Sequence, residues 1–194
     1  HSHTTPVKQK FTSYSDSQLF DVLRRSTGAE SECAFGELYH RYNQRIYAYC
    51  LKVTGNSDEA RDIFQETFVR FFKSAAHESS IENVGGFLMR IARNLCLNYN
   101  RDKKETVAIE EFHLTGTGHH YEQEELLTLI HTALEYLDFE YRDAFVMRQY
   151  HDMSYEEIAD ITGDSIPALK NRVWRAKEKI KQILSPYIAD ISKF

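Results

Sequence analysis

Between Ala168 and Leu184 the chain carries six basic residues, Lys170, Arg172, Arg175, Lys177, Lys179 and Lys181, against one acid, Glu178. Ile166, Leu169, Val173, Ala176, Ile180 and Ile183 recur at helical spacing and are expected inward, which leaves Lys170, Asn171, Trp174 and Arg175 outward and Arg172 and Lys177 on the flanks. Ammonium and guanidinium groups placed this way can neutralise phosphates, and Lys, Asn and Arg match the donor and acceptor patterns of base edges. A second basic set stands at Arg90, Arg93, Asn94 and Arg101, extended by Lys103 and Lys104 and interrupted by Leu97. The chemistry on offer is recognition of a polyanion. Catalysis is not: no Gly-rich phosphate loop, activated nucleophile or paired-carboxylate arrangement stands out. His113, His119, His120 and His131 have no cysteine near them, so neither a metal site nor a cofactor is expected.

These side chains need helices to hold them. Ser154 and Glu157 stand in capping-box register, Gly163 can take the positive φ of a tight turn, and Ser165 can cap a second helix whose early Pro167 is tolerated among first-turn amides. Together they spell a helix-turn-helix, the geometry that brings the N-terminal side chains of a second helix into a major groove. The other basic set lies on a helix expected over about Phe87 to Asn100, fed by an irregular loop from Ala75 to Gly86. Further upstream, apolar periodicity predicts a helix from Asp16 to Arg25 with Asp16 as its cap. A long helix carrying Phe35, Leu38, Tyr39, Tyr42, Ile46, Tyr49 and Val53 ends near Gly55, and another carries Ala60, Ile63, Phe64, Phe68 and Phe71. Tyr47, Tyr49, Phe71 and Phe72 could serve as base-stacking platforms, but at helical spacing core or interface is the better expectation, and core the safer of the two. Phe11 and everything before it stay outside the expected fold.

From Glu105 to Glu125 six glutamates occur with no Lys or Arg, and Gly116 and Gly118 interrupt any helix; this is the expected linker between two domains. Leu126, Leu127, Ile130, Leu134 and Leu137 then restore the helical period, and Tyr141, Ala144, Phe145 and Arg148 continue it beyond a break at Asp138. The composition agrees: with 8 Gly and 3 Pro among 194 residues there is little material for a sandwich or barrel, and 42% apolar residues suffice for packed cores. Three cysteines, widely spaced, fit a reducing compartment, and no apolar run approaches a membrane span, so a cytoplasmic protein without membrane insertion is expected. The formal charge of −5 does not exclude nucleic acid, because the placement of charge decides.

Two separate blocks resemble the two domains of bacterial sigma factors of the extracytoplasmic-function group in the sigma-70 family. Asp16 to Arg25, the stretch Ala34 to Tyr42, Asp62 to Phe68 and Arg90 to Leu95 resemble region 2, and Ser154 to Arg175 resembles region 4. The resemblance implies an all-α chain of two small helical domains, a region 2 bundle at 12–104 and a region 4 helix-turn-helix at 126–187, joined by a flexible acidic linker at 105–125. It implies a non-enzymatic initiation factor that binds core RNA polymerase, directs it to promoters and assists DNA melting. On this likeness Asp62, Gln65 and Glu66 would dock on the clamp helices of the largest polymerase subunit. Arg90, Arg93, Asn94 and Arg101, with Lys103 and Lys104, would face the minus-10 element, and Lys170, Asn171, Arg172, Trp174 and Arg175 the minus-35 element. The loop Ala76 to Asn83 matches the region where the family holds an extruded base, and the linker matches a segment threading the polymerase cleft. An anti-sigma partner is also implied. Thr162, Asp164, Pro167 and Trp174 depart from the usual pattern. The alternative reading is an autonomous helix-turn-helix regulator with a helical sensing or dimerisation domain, which would bind DNA without polymerase.

Overall fold

A computed structural model describes residues 10–104 and 123–187. The described residues form an all-α architecture with no strand among them: α1 (Asp16–Arg25), α2 (Ala29–Thr54), α3 (Ser57–Ser74), α4 (Val84–Lys104), α5 (Gln123–Leu134), α6 (Phe139–Gln149), α7 (Tyr155–Thr162) and α8 (Ile166–Leu184). None of these helices is long and apolar enough to cross a membrane. The chain divides into two compact units, one made of the residues up to Cys50 together with Ser57–Leu95, the other of Leu51–Asn56 together with the residues from Cys96 onward. Most of the expected linker, 105–122, and with it His113, His119 and His120, lies outside the described residues.

In the first unit the apolar stripes of the helices close on one core. Leu19, Phe20 and Leu23 of α1, Leu38, Ile46 and Tyr49 of α2, Ile63, Phe68 and Phe71 of α3, and Leu88 and Met89 of α4 are all buried. Phe71 sits between α1 and α4, its ring centroid 5.8 Å from Phe20 and 6.2 Å from Phe87. Three expectations need correction. The N-cap of α1 is Ser15, not Asp16: Ser15 Oγ accepts from Gln18 N at 3.2 Å and Gln18 Oε1 accepts from Ser15 N at 2.8 Å, so the box closes one residue earlier. Asp16 is thereby released to take Arg41 Nη1 at 2.9 Å and the hydroxyl of Tyr42. Phe11, left out of the expected fold, is 2% exposed, with its ring edge-on to Tyr14.

The third correction concerns Gly85 and Gly86, which lie inside the first turn of α4 and not in a loop. Asn83 caps this helix, its Oδ1 accepting from Gly86 N at 2.8 Å. A Cβ on Gly85 would stand 2.9 Å from the Tyr42 ring, so the glycine is there for close approach of α4 to α2, and turn flexibility is not its role.

In the second unit α8 packs on α5, α6 and α7. Leu169, Val173, Ala176, Ile180 and Leu184 of α8 are buried, as are Leu134, Phe145, Val146 and Ile158 of the helices it packs on. Burying each such aliphatic side chain is worth ~1.5–3 kcal/mol relative to exposure. Arg142, buried on α6, donates from Nη1 to the carbonyl oxygens of Leu137 at 3.1 Å and Leu134 at 3.4 Å, satisfying acceptors that the end of α5 leaves open.

Candidate nucleic-acid interface

The turn between α7 and α8 is built as the sequence dictates. Ser154 Oγ accepts from Glu157 N and Glu157 Oε1 from Ser154 N, both at 3.1 Å. Gly163 takes φ 76° as the C-cap of α7. Ser165 Oγ accepts from Ala168 N at 3.3 Å to start α8, with Pro167 in its first turn. The result fixes which face of α8 is exposed: Lys170, Asn171, Trp174 and Arg175 are open to solvent, and Trp174 is 61% exposed. An indole that far out of the core is well placed to cover a ligand. Tyr155, at the start of α7, lies between two cations, with the Arg148 guanidinium 4.6 Å and Lys170 Nζ 5.7 Å from its ring centroid. Arg148 is held in turn by the Met153 carbonyl at 2.8 Å. Arg172 is placed differently from its neighbours: it is partly buried and ion-paired to Asp164 and Glu140.

Along α4 the helical period groups Arg90, Arg93, Asn94 and Arg101 within an arc of about 100°. Arg90, Asn94 and Arg101 are exposed and Arg93 is half-buried. Leu97 falls inside the same arc and is 38% exposed. Lys103 projects from the other side of the helix, its ammonium 6.0 Å from the Tyr99 ring centroid, and Lys104 closes the helix. Asn83, at the end of the loop matched to base extrusion, is used as the helix cap.

On α3, Asp62, Gln65 and Glu66 are exposed, and Glu66 pairs with Arg70 at 2.9 Å. Gln65 also lines an apolar groove of about 630 Å³ whose walls are Phe35, Tyr39, Phe64, Phe68 and Phe72. The sequence reading missed this groove and placed Phe72 in the core; Phe72 is 46% exposed, while Phe71 and Tyr49 are fully buried. The signal was present. Phe64, Phe68 and Phe72 stand four residues apart and run off one side of the stripe made by Ala60, Ile63, Thr67 and Phe71, and the rings of this second stripe are covered unevenly, Phe68 buried and Phe72 open. The rings support one another edge-on, Phe35 to Phe72 at 5.3 Å and Tyr39 to Phe68 at 4.9 Å between centroids.

Comparison with known proteins assigns both units. Sigma-70 region 2 matches residues 38–106 and Sigma-70 region 4 matches residues 127–180. A relative in Rhodopseudomonas palustris, the extracytoplasmic-function RNA polymerase sigma factor EcfG, is 30% identical over 146 residues, covering 72% of this chain and 78% of its own. The chain belongs to the sigma-70 family. Within it the similarity is to the extracytoplasmic-function group: the extracytoplasmic-function RNA polymerase sigma factor SigM of Bacillus subtilis is 27% identical over 163 residues, 79% of this chain and 97% of that one. Among solved structures, CnrH in complex with the cytosolic domain of CnrY has a TM-score of 0.66 at 22% identity, covering 88% of this sigma factor and 97% of CnrH. RpoE of Bartonella quintana, in complex with the anti-sigma factor NepR, has a TM-score of 0.63 at 22% identity over 78% of this chain and 96% of RpoE. These two likenesses establish the fold, two helical domains of the region 2 and region 4 kinds.

Proposed function

We propose that this sigma factor binds core RNA polymerase through α3, with Asp62, Gln65 and Glu66 beside the aromatic groove, and carries two DNA-reading faces to the promoter. The basic side of α4, with Arg90, Arg93, Asn94 and Arg101, faces the minus-10 element. The exposed face of α8, with Lys170, Asn171, Trp174 and Arg175, enters the major groove of the minus-35 element. Residues 12–104 then act as the polymerase and minus-10 domain, 126–187 as the minus-35 domain, and 105–125 as the acidic linker between them. The factor performs no chemistry itself; nucleotide addition belongs to the polymerase, and the site of action is the cytoplasm.

One observation favours this reading over an autonomous regulator: an open aromatic groove bordered by Gln65, on a helix that also exposes Asp62 and Glu66, on the unit that does not hold the helix-turn-helix. A sensor domain has no need of such a surface. A subunit that docks on a large basic partner needs both the charge to steer it and the apolar pocket to hold it. A partner that held the factor inactive would gain most by covering the same groove, and the anti-sigma partner is assigned there. The deciding experiment is run-off transcription with reconstituted bacterial core polymerase and mapping of start sites. Specific initiation that depends on added factor is expected. Failure to bind core at low salt, together with tight palindromic DNA binding in its absence, would favour the autonomous regulator.

A further inference from the structure

Arg172 sits on the recognition helix between Asn171 and Val173, yet its charge is directed into the protein. Nη1 donates to Asp164 Oδ2 at 2.6 Å and Nη2 stands 3.5 Å from Glu140 Oε2. Its side chain is 21% exposed. Asp164 lies in the turn itself, between the left-handed Gly163 and the capping Ser165, and Glu140 lies in the first turn of α6. One guanidinium therefore joins the turn, the recognition helix and the helix that packs beneath it. Arginine suits the task, because its planar fork can serve two carboxylates at once where an ammonium acts as a point charge. To reach a phosphate it would have to abandon both carboxylates and leave two negative charges beside an anionic duplex.

We propose that Arg172 is a positioning residue and not a DNA contact. Held by Asp164 and Glu140, it sets the rotation of α8 against the turn and offsets one of the two negative charges it touches, and reading falls to Lys170, Asn171, Trp174 and Arg175. Asp164, a departure from the apolar residue usual in such turns, is then the counter-ion that makes this arrangement possible. The proposal rests on the reading of α8 as the helix that enters DNA.

The test uses the full chain with core polymerase on a promoter duplex through a potassium chloride series, comparing R172M, D164N, R175M and the charge-swapped pair D164R/R172D. A positioning role predicts that R172M and D164N weaken promoter binding by a similar factor of several-fold at every salt concentration. The slope of log affinity against log salt stays unchanged, and the swapped pair recovers part of the loss, the contact with Glu140 being given up. R175M, which removes a direct contact, should flatten that slope by about one. The proposal is overturned if R172M flattens the slope as R175M does while D164N binds as well as wild type or better. Thermal melts give a second arm independent of DNA: the double variant R172M/D164N should lose no more Tm than the worse single variant, and additive losses would overturn the tether. If neither wild type nor any variant shows promoter binding with polymerase, the reading of α8 fails instead, and the melts still report on the tether.

Discussion

Trp174 is the only tryptophan in the chain, and it stands at the exposed centre of the recognition helix. When the residue is incorporated as 5-hydroxytryptophan, which is excited to the red of ordinary tryptophan, its emission reports on that helix even beside a partner protein. Addition of promoter duplex to the polymerase-bound factor should shift and quench it, and a duplex with a scrambled minus-35 element should not. Around it, Asn171→Ala is expected to cost ~1–3 kcal/mol of discrimination at one base pair, measured as the affinity ratio between matched and mismatched duplexes. Tyr42 gives a prediction of another kind. Burial first, and then its bond to Asp16, push the phenol up from 10.0 to about 12. The neutral form is the one the fold favours, so its contribution is complete below pH 10 and is lost as pH rises to about 12. Phenolate titration followed by ultraviolet absorbance should lose one tyrosine from its late-ionising component in Y42F, Tyr136 and Tyr150 supplying the rest, and the fall of Tm over that window should be shallower in the variant.

At the scale of the helices, cap and core differ in worth. Ser154→Ala removes a side-chain acceptor from an amide that water can still reach, a loss of ~1 kcal/mol. Ile180→Ala opens a cavity under α8 and should cost ~2–5 kcal/mol in denaturant unfolding. Gly85→Ala improves helix propensity yet should lower Tm, because the added methyl meets the Tyr42 ring at 2.9 Å. The contrast shows where sequence was sufficient. The capping box at Ser154 and Glu157 and the turn at Gly163 act through neighbours within three residues, and such local chemistry is written in order along the chain. Gly85 is explained only by a ring 43 positions earlier, so on its own the pair Gly85-Gly86 reads as a loop. The cap of α1 was misplaced for a similar reason: Ser15 and Asp16 are both good caps, and the contest was settled by Arg41 and Tyr42 on another helix. Arg172 belongs to the same class, since no spacing rule announces that a basic residue on a reading helix faces Asp164 and Glu140.

For the molecule as a whole, two surfaces on two units imply two separable losses. Phe72→Gln should leave Tm close to wild type, because the ring is nearly half exposed, while weakening core polymerase binding by at least about tenfold, the scale of an anchoring aromatic at an interface centre. Asn171→Ala should do the reverse, binding core normally in a co-elution assay and failing only at the promoter. Finally, the features that start α8, namely the left-handed Gly163, the Ser165 hydroxyl and Pro167, are different residues from Lys170, Asn171, Trp174 and Arg175, which face outward farther along the helix. Scaffold and alphabet are thus kept in different hands. Point changes at Asn171 or Arg175 can drift without threatening the folded state, so a lineage carrying this architecture can acquire new target preferences one substitution at a time.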